Sequence, residues 1–201
     1  MDYCYNKLKD DKVDVKLKRL LVDLLNYGAA AQLYNGRNTD MLVNAFLTDE
    51  YKAFGTESDR ELNSVLSFKG EATEVTWKSA GLYLKHNITI KFKFTVVDSV
   101  DVSKLSAVIT IGGKDTWVSA KKFELENGVY VINYNSFIAT QLSDSITAVI
   151  VDEEGNPVSN ELTYSVETYA YNKNNDQGTL VNLVRAMIRY GDSAKAFVSK
   201  K

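Results

Sequence analysis

The chain is poor in the residues that most often staple, ligate or cleave. Its 201 residues hold one cysteine, Cys4, one histidine, His86, and one proline, Pro157. A single cysteine excludes a disulfide within the chain and any cysteine-rich metal site. One cysteine with one histidine leaves no ligand set for zinc. A Ser-His-Asp or Cys-His system must use His86, yet no G-x-S-x-G nucleophile elbow is present. His86 sits in a turn, Lys85-His86-Asn87, and reads as a surface histidine. Nothing around Cys4 suggests the basic pocket or helix start that activates a thiol. The lone proline argues against proline-rich linkers. Long hydrophobic runs are missing too. Stretches such as residues 148–151 are far too short to span a bilayer, so no membrane insertion is expected. Met1-Asp2-Tyr3 lacks the apolar core of a signal peptide. The net charge is only −2, so no strong field points at nucleic acid.

Other chemistry is absent by pattern. Gly112-Gly113-Lys114 is a hairpin turn and not a phosphate loop. Asp152-Glu153-Glu154-Gly155-Asn156 and residues 172–176 offer clustered oxygens, but neither fits a calcium loop. They read as a hairpin tip and a polar loop. Paired carboxylates for glycoside hydrolysis are set by spatial distance, and nothing in the sequence selects a pair. No catalytic residue, cofactor or metal is therefore assigned, and the chain is read as not an enzyme.

What is there begins with a helical stripe. Leu17, Leu20, Leu21, Leu24, Leu25, Gly28 and Ala31 recur at helical spacing. Lys16, Lys18, Arg19, Asp23 and Asn26 fall largely on the other side. The spacing predicts a helix over 14–34, stopping near Asn35-Gly36. Gly28 in its middle costs about 1 kcal/mol relative to alanine, which a helix tolerates when another backbone must come close. Leu180, Leu183, Val184, Met187, Ile188, Gly191 and Ala194 repeat the stripe, predicting a closing helix over 176–198. The two helices are expected to touch each other, or the same surface, at Gly28 and Gly191. Between them, residues 37–62 form a connector in which Thr39, Asp40 and Thr48 are candidate caps.

Residues 63–168 alternate as strands. Ile88, Ile90, Phe92, Phe94 and Val96 share one face, and Thr89, Lys91, Lys93 and Thr95 the other. Further strand candidates are 64–68, 73–77, 82–84, 107–111, 116–119, 121–126, 129–134, 146–152 and 162–167. Gly112-Gly113, Asn127-Gly128 and Gly155-Asn156-Pro157 separate some of them. Many short strands at this spacing imply an antiparallel sandwich of immunoglobulin-like shape. The fold class expected is α+β: an immunoglobulin-like β-sandwich flanked by two sequence-related α-helices. Three parts follow. Residues 1–62 are an N-terminal helical segment with its connector, 63–168 the sandwich, and 169–201 a C-terminal helix packing with the first.

The two ends of the chain also repeat. Tyr27-Gly28 recurs as Tyr190-Gly191, and Tyr3-Cys4-Tyr5-Asn6-Lys7 as Tyr169-Ala170-Tyr171-Asn172-Lys173. Both matches fall in the same order, which implies a tandem unit of about 165 residues. Residues 1–62 are then expected to be the tail of a preceding unit, and the chain a piece of a larger protein.

The strings YGAAAQLY, TDMLVNAFLTDEYKAFG (39–55), QLSDSITA (141–148), LTYSVETYA (162–170) and RYGDSAKAF, with the segment 88–94, resemble modules of large secreted surface proteins. Those proteins come from Gram-positive, clostridial-type gut bacteria. The resemblance covers most of the chain. It implies an extracellular, cell-surface location and a stalk or adhesion role, and it carries no catalytic residue set. The function expected is a non-catalytic spacer or adhesion module. Its partners are neighbouring modules of the parent protein, and a glycan or host protein where it adheres. The alternative is a carbohydrate-binding module using exposed aromatics, since flat rings gain from contact with sugar faces. Trp77 is in phase with Val75 and reads as core. Trp117 is out of phase with Val118 and is the candidate ligand platform. Tyr3, Tyr5, Tyr169 and Tyr171 recur at matching places and read as wedges at strand–helix junctions or as a contact surface between modules. Asn87-Ile88-Thr89 matches the glycosylation sequon, which a bacterial source leaves unused.

Overall fold

The computed structural model describes residues 2–56, 61–84, 87–173 and 178–199. His86 lies outside the described residues. The helices are α1 (Asp2–Lys9), α2 (Val15–Asn35), α3 (Asp49–Lys52), α4 (Val166–Asn172) and α5 (Thr179–Val198). The strands are β1 (Ser67–Lys69), β2 (Val75–Leu84), β3 (Ile88–Val96), β4 (Ser106–Ile111) and β5 (Lys114–Ser119). They continue with β6 (Phe123–Glu126), β7 (Val129–Tyr134), β8 (Ser145–Val151) and β9 (Glu161–Ser165). The chain divides into two compact units. One holds Met1–Asn63, Ile138–Ser143 and Ala170–Lys201, and the other Ser64–Phe137 and Asp144–Tyr169. The short turn Ala139–Gln141 thus belongs with the helices, although it lies among the strands in sequence.

In the helical unit, α2 is delimited at both ends by its own sequence. The Asp14 carboxylate accepts a hydrogen bond from Lys16 N at 2.8 Å, satisfying a first-turn donor that has no partner within the helix. Gly36 closes the other end at φ 62°, and its N–H faces the carbonyls of Gln32 and Leu33. A residue with a Cβ is disfavoured at that φ, so the stop is written in the glycine. Leu21, Val22 and Leu25 pack with Leu8 and Leu47 as one apolar cluster, with Tyr5, Val43 and Phe54 around it. Tyr5 also holds the connector: its hydroxyl donates to Val43 O at 2.8 Å, and its ring meets Phe46 edge-on at 5.9 Å.

The expected polar side of α2 is partly wrong. Asp23 is only 1% exposed and Lys18 only 6%. The connector covers that side. Lys18 Nζ lies 4.9 Å from the centre of the Phe54 ring, and Thr56 donates to Asp23 from both its N–H and its hydroxyl, at 3.2 and 2.7 Å.

The strand unit contains two antiparallel sheets, so the chain is α+β. Five strands run in the order β1-β9-β8-β4-β5, and four in the order β2-β3-β7-β6. Alternation works as sequence requires: Ile90, Phe92 and Phe94 are fully buried on β3. Two expected short strands, 73–77 and 82–84, are one continuous strand, β2. The register shifts between Trp77 and Ser79, so the buried set changes from Val75 and Trp77 to Leu82. A bulge of this kind breaks a two-residue period and makes one strand read as two. Trp77 is core, with its indole N–H donating to Asn160 O at 2.9 Å, and Phe94 meets its ring at 5.5 Å. At the far end, the candidate strand over 162–167 stops at Ser165. There the Ser165 hydroxyl accepts from Thr168 N at 3.0 Å, the geometry of a helix cap, and α4 begins.

Candidate functional site

Trp117 lies on β5, an edge strand of the five-stranded sheet. Its neighbour Val118 points into the core, and the indole is 60% exposed. It pairs with Val108 on β4, which in turn pairs with Val149 on β8. The ring therefore ends an outward row of two valines. The adjoining row is polar, running Asp115–Thr110–Thr147–Thr163–Ser67 across the sheet. No second ring shares this face among the described strand residues. Among the described strand residues, the outward face of the other sheet also shows a single ring. Tyr83 sits there with Lys91 Nζ 4.9 Å from its centre, and Lys91 and Lys93 reach Glu126 at 3.4 and 3.8 Å. Tyr130 and Tyr134, in phase with the core, pair across β3 with Phe94 and Ile90.

The glycines do not meet each other. A Cβ built on Gly28 would stand 2.7 Å from Val43 Cγ2, so Gly28 admits the connector. One built on Gly191 would stand 2.9 Å from Leu142 Cβ and 3.2 Å from Ser143 N, so Gly191 admits the segment around Ala139–Gln141. Both mark close approaches, as a mid-helix glycine should, but the nearest atoms belong to different segments and not to the partner helix.

The contact between α2 and α5 is made one residue earlier. Tyr27 stacks on Tyr190 with centroids 5.7 Å apart and planes 7° from parallel. Burial, with Tyr190 beside it, pushes the Tyr27 phenol up from its usual 10.0. Toward one end of the pair, Ser193 Oγ donates to Asp23 Oδ2, and Lys16 Nζ donates to Ala196 O at 3.3 Å. Numbers rise on one helix as they fall on the other, so the helices run antiparallel. The two tyrosines that precede the mid-helix glycines, Tyr27 and Tyr190, are the ones that stack.

The tyrosine pair makes the contacts on either side of it comparable. At the offset that matches Tyr27 with Tyr190, Asp23 corresponds to Ala186 and Ser193 to Ala30. Where one half has a carboxylate bonded to a hydroxyl, the other has two alanines. A cleft of about 270 Å³ opens there, with Ala30 and Ala186 in its wall. Arg185 and Arg189, one helical turn apart on α5, line it with Asn182 and Thr179. Asn26 and Asn44 face them from α2 and the connector, joined by a 3.0 Å hydrogen bond from Asn44 Nδ2 to Asn26 Oδ1. No acid is among the described lining residues. Sequence reading missed this cleft. Its one signal was the spacing of two arginines beside the apolar stripe of the closing helix.

Elsewhere, Asp152 is occupied by its own turn, accepting from Asn156 N at 2.7 Å and Asn156 Nδ2 at 3.1 Å. Among the described residues, no group of three or more His, Cys, Asp or Glu could hold a metal ion, and no helix is long and apolar enough to cross a membrane. Comparison with protein families, with curated proteins and with solved structures gives no match.

Proposed function

We propose that the chain is a non-catalytic module of a larger bacterial surface protein, acting outside the cell as a spacer or adhesion part. The observation that carries this reading is the recurrence of one structural phrase at both ends. A short helix followed by a long one appears as α1–α2 and again as α4–α5, over the same matched sequences. Recurrent units of this kind are the building principle of tandem arrays. The strand order supports an immunoglobulin-like sandwich between them. Lettering β2 to β9 as A, B, C, C′, D, E, F and G turns the observed orders into A-B-E-D and G-F-C-C′, the arrangement of that fold with β1 added beside G.

The test is surface shaving. Brief trypsin treatment of intact source cells should release peptides of this chain, and peptides appearing only after lysis would refute the reading. The second reading, a carbohydrate-binding module, is favoured by the exposure of Trp117. A glycan array followed by calorimetry on the wild type and Trp117→Ala decides it: binding that disappears with the ring would displace the pure spacer. The single ring on that sheet face speaks for the first reading.

A further inference from the structure

The cleft between α2 and α5 carries charge of one sign. Its charged lining is cationic, from Arg185 and Arg189. Guanidinium groups bind carboxylates through paired, charge-assisted hydrogen bonds. Both arginines also interact with other residues of the chain, which is compatible with a ligand because each guanidinium carries five donors. The rest of the polar lining is carboxamide and hydroxyl. The Asn44–Asn26 bond uses one donor and one acceptor, leaving Asn26 Nδ2 to donate and Asn44 Oδ1 to accept. Asn182 and Thr179 add further groups of both kinds. Donors and acceptors side by side suit a ligand whose hydroxyls do both. Ala29, Ala30 and Ala186, with Leu33 and Leu42, supply an apolar wall for the C–H face of a ring. The volume, about 270 Å³, lies just under the roughly 300–1,000 Å³ of drug-sized sites. That is room for about one sugar residue.

The geometry points to this cleft as a binding site for a carboxylate-bearing monosaccharide unit, of the uronic acid class. The carboxylate sits against Arg185 and Arg189, the hydroxyls against Asn26, Asn44 and Asn182, and the ring against the alanines. The site is independent of Trp117 and of the module reading above, because it lies wholly in the helical unit. It lies on the other side of the tyrosine pair from the Asp23–Ser193 bond: there Ala30 and Ala186 present two methyl groups, and the space beside them is open to a ligand.

The test is titration of the full chain, by calorimetry and by NMR of the asparagine side-chain amides, with sodium galacturonate and sodium glucuronate. Galactose, glucose, acetate and inorganic phosphate serve as comparisons at matched ionic strength. Uronate should saturate with a Kd of ~1 mM or below and shift the Asn26, Asn44 and Asn182 amides. Neutral sugars and acetate should bind roughly tenfold more weakly or worse, since each lacks one half of the recognition. Arg185→Gln with Arg189→Gln should weaken uronate by about tenfold or more. Ala30→Leu, which fills the cleft without touching a polar group, should abolish binding while circular dichroism stays native. It serves as the second variant if the arginine pair is needed for folding. Absence of saturable uronate binding overturns the proposal. So does phosphate or galactose binding as tightly as uronate, or uronate binding that survives Ala30→Leu.

Discussion

Gly191→Ala places one methyl group where the structure leaves no room, and its cost follows from the neighbours. The new Cβ would lie 2.9 Å from Leu142 Cβ, 3.2 Å from Ser143 N and 3.4 Å from Ala139 O. Carbon atoms rest at roughly 3.5–4.0 Å, so the first contact is short by about half an ångström or more. Two of the three neighbours are backbone atoms and the third is a Cβ tied to backbone, so no side-chain rotation relieves the clash. Overpacking of this kind costs about 1–3 kcal/mol, opposed by a gain of up to about 1 kcal/mol in helix propensity. The expected net is a loss of about 1–2 kcal/mol. Gly28→Ala is the control. Its Cβ would meet Val43 Cγ2 at 2.7 Å, and the next Val43 atom only at 4.0 Å, so one methyl of one side chain is the whole obstacle. Val43→Ala should remove it, and the Gly28→Ala, Val43→Ala pair should show a favourable coupling of about 0.5 kcal/mol or more. Urea unfolding followed by circular dichroism reads all four variants. A Gly191→Ala protein as stable as wild type would refute the reasoning, because it would mean that residues 139–143 yield freely.

Three further expectations follow from the same contacts. Asp23→Ala removes the acceptor for three donors, from Thr56 and Ser193, and should destabilise by about 2–3 kcal/mol; Ser193→Ala, losing one of them, should cost about 1 kcal/mol, and equal losses in urea unfolding would contradict the network. Trp117→Ala should change stability by less than about 0.5 kcal/mol, because the ring is outward, and a larger thermal shift would show that it packs. Burial raises the phenols of Tyr27 and Tyr164 above 10.0 in the folded chain, so the native state holds protons that the unfolded state releases. Their contribution is complete below pH 10.0 and is lost as pH climbs through the raised values. Urea midpoints should therefore fall above pH 10.0, less steeply in Tyr27→Phe, and a flat profile there would overturn the assignment.

Much of this architecture is legible in the residues. The stripe from Leu17 to Ala31, the stop at Gly36 and the alternation of β3 each obey a local rule, and local rules need no partner. What failed to show depends on partners. β2 reads as two strands because a bulge after Trp77 shifts the phase. The strand candidate over 162–167 runs two residues too far, because nothing in its hydrophobicity announces that the Ser165 hydroxyl will cap a helix. Asp23 reads as solvent-facing because a helical wheel carries no information about Thr56, which lies more than thirty residues away. The cleft is less visible still. It is defined by what Ala30 and Ala186 lack, and that appears only when the two helices are laid on one another about the tyrosine pair.

The antiparallel pairing of α2 and α5 also bears on how the chain would carry tension. The start of α2 lies beside the end of α5, where Lys16 reaches Ala196. A pull applied outward from these two points meets the contacts in succession: first Lys16–Ala196, then Asp23–Ser193, then the stacked tyrosines. Bonds loaded one at a time peel like a zipper and do not share the force as sheared strands do. The helical unit would therefore open one contact at a time under such a pull.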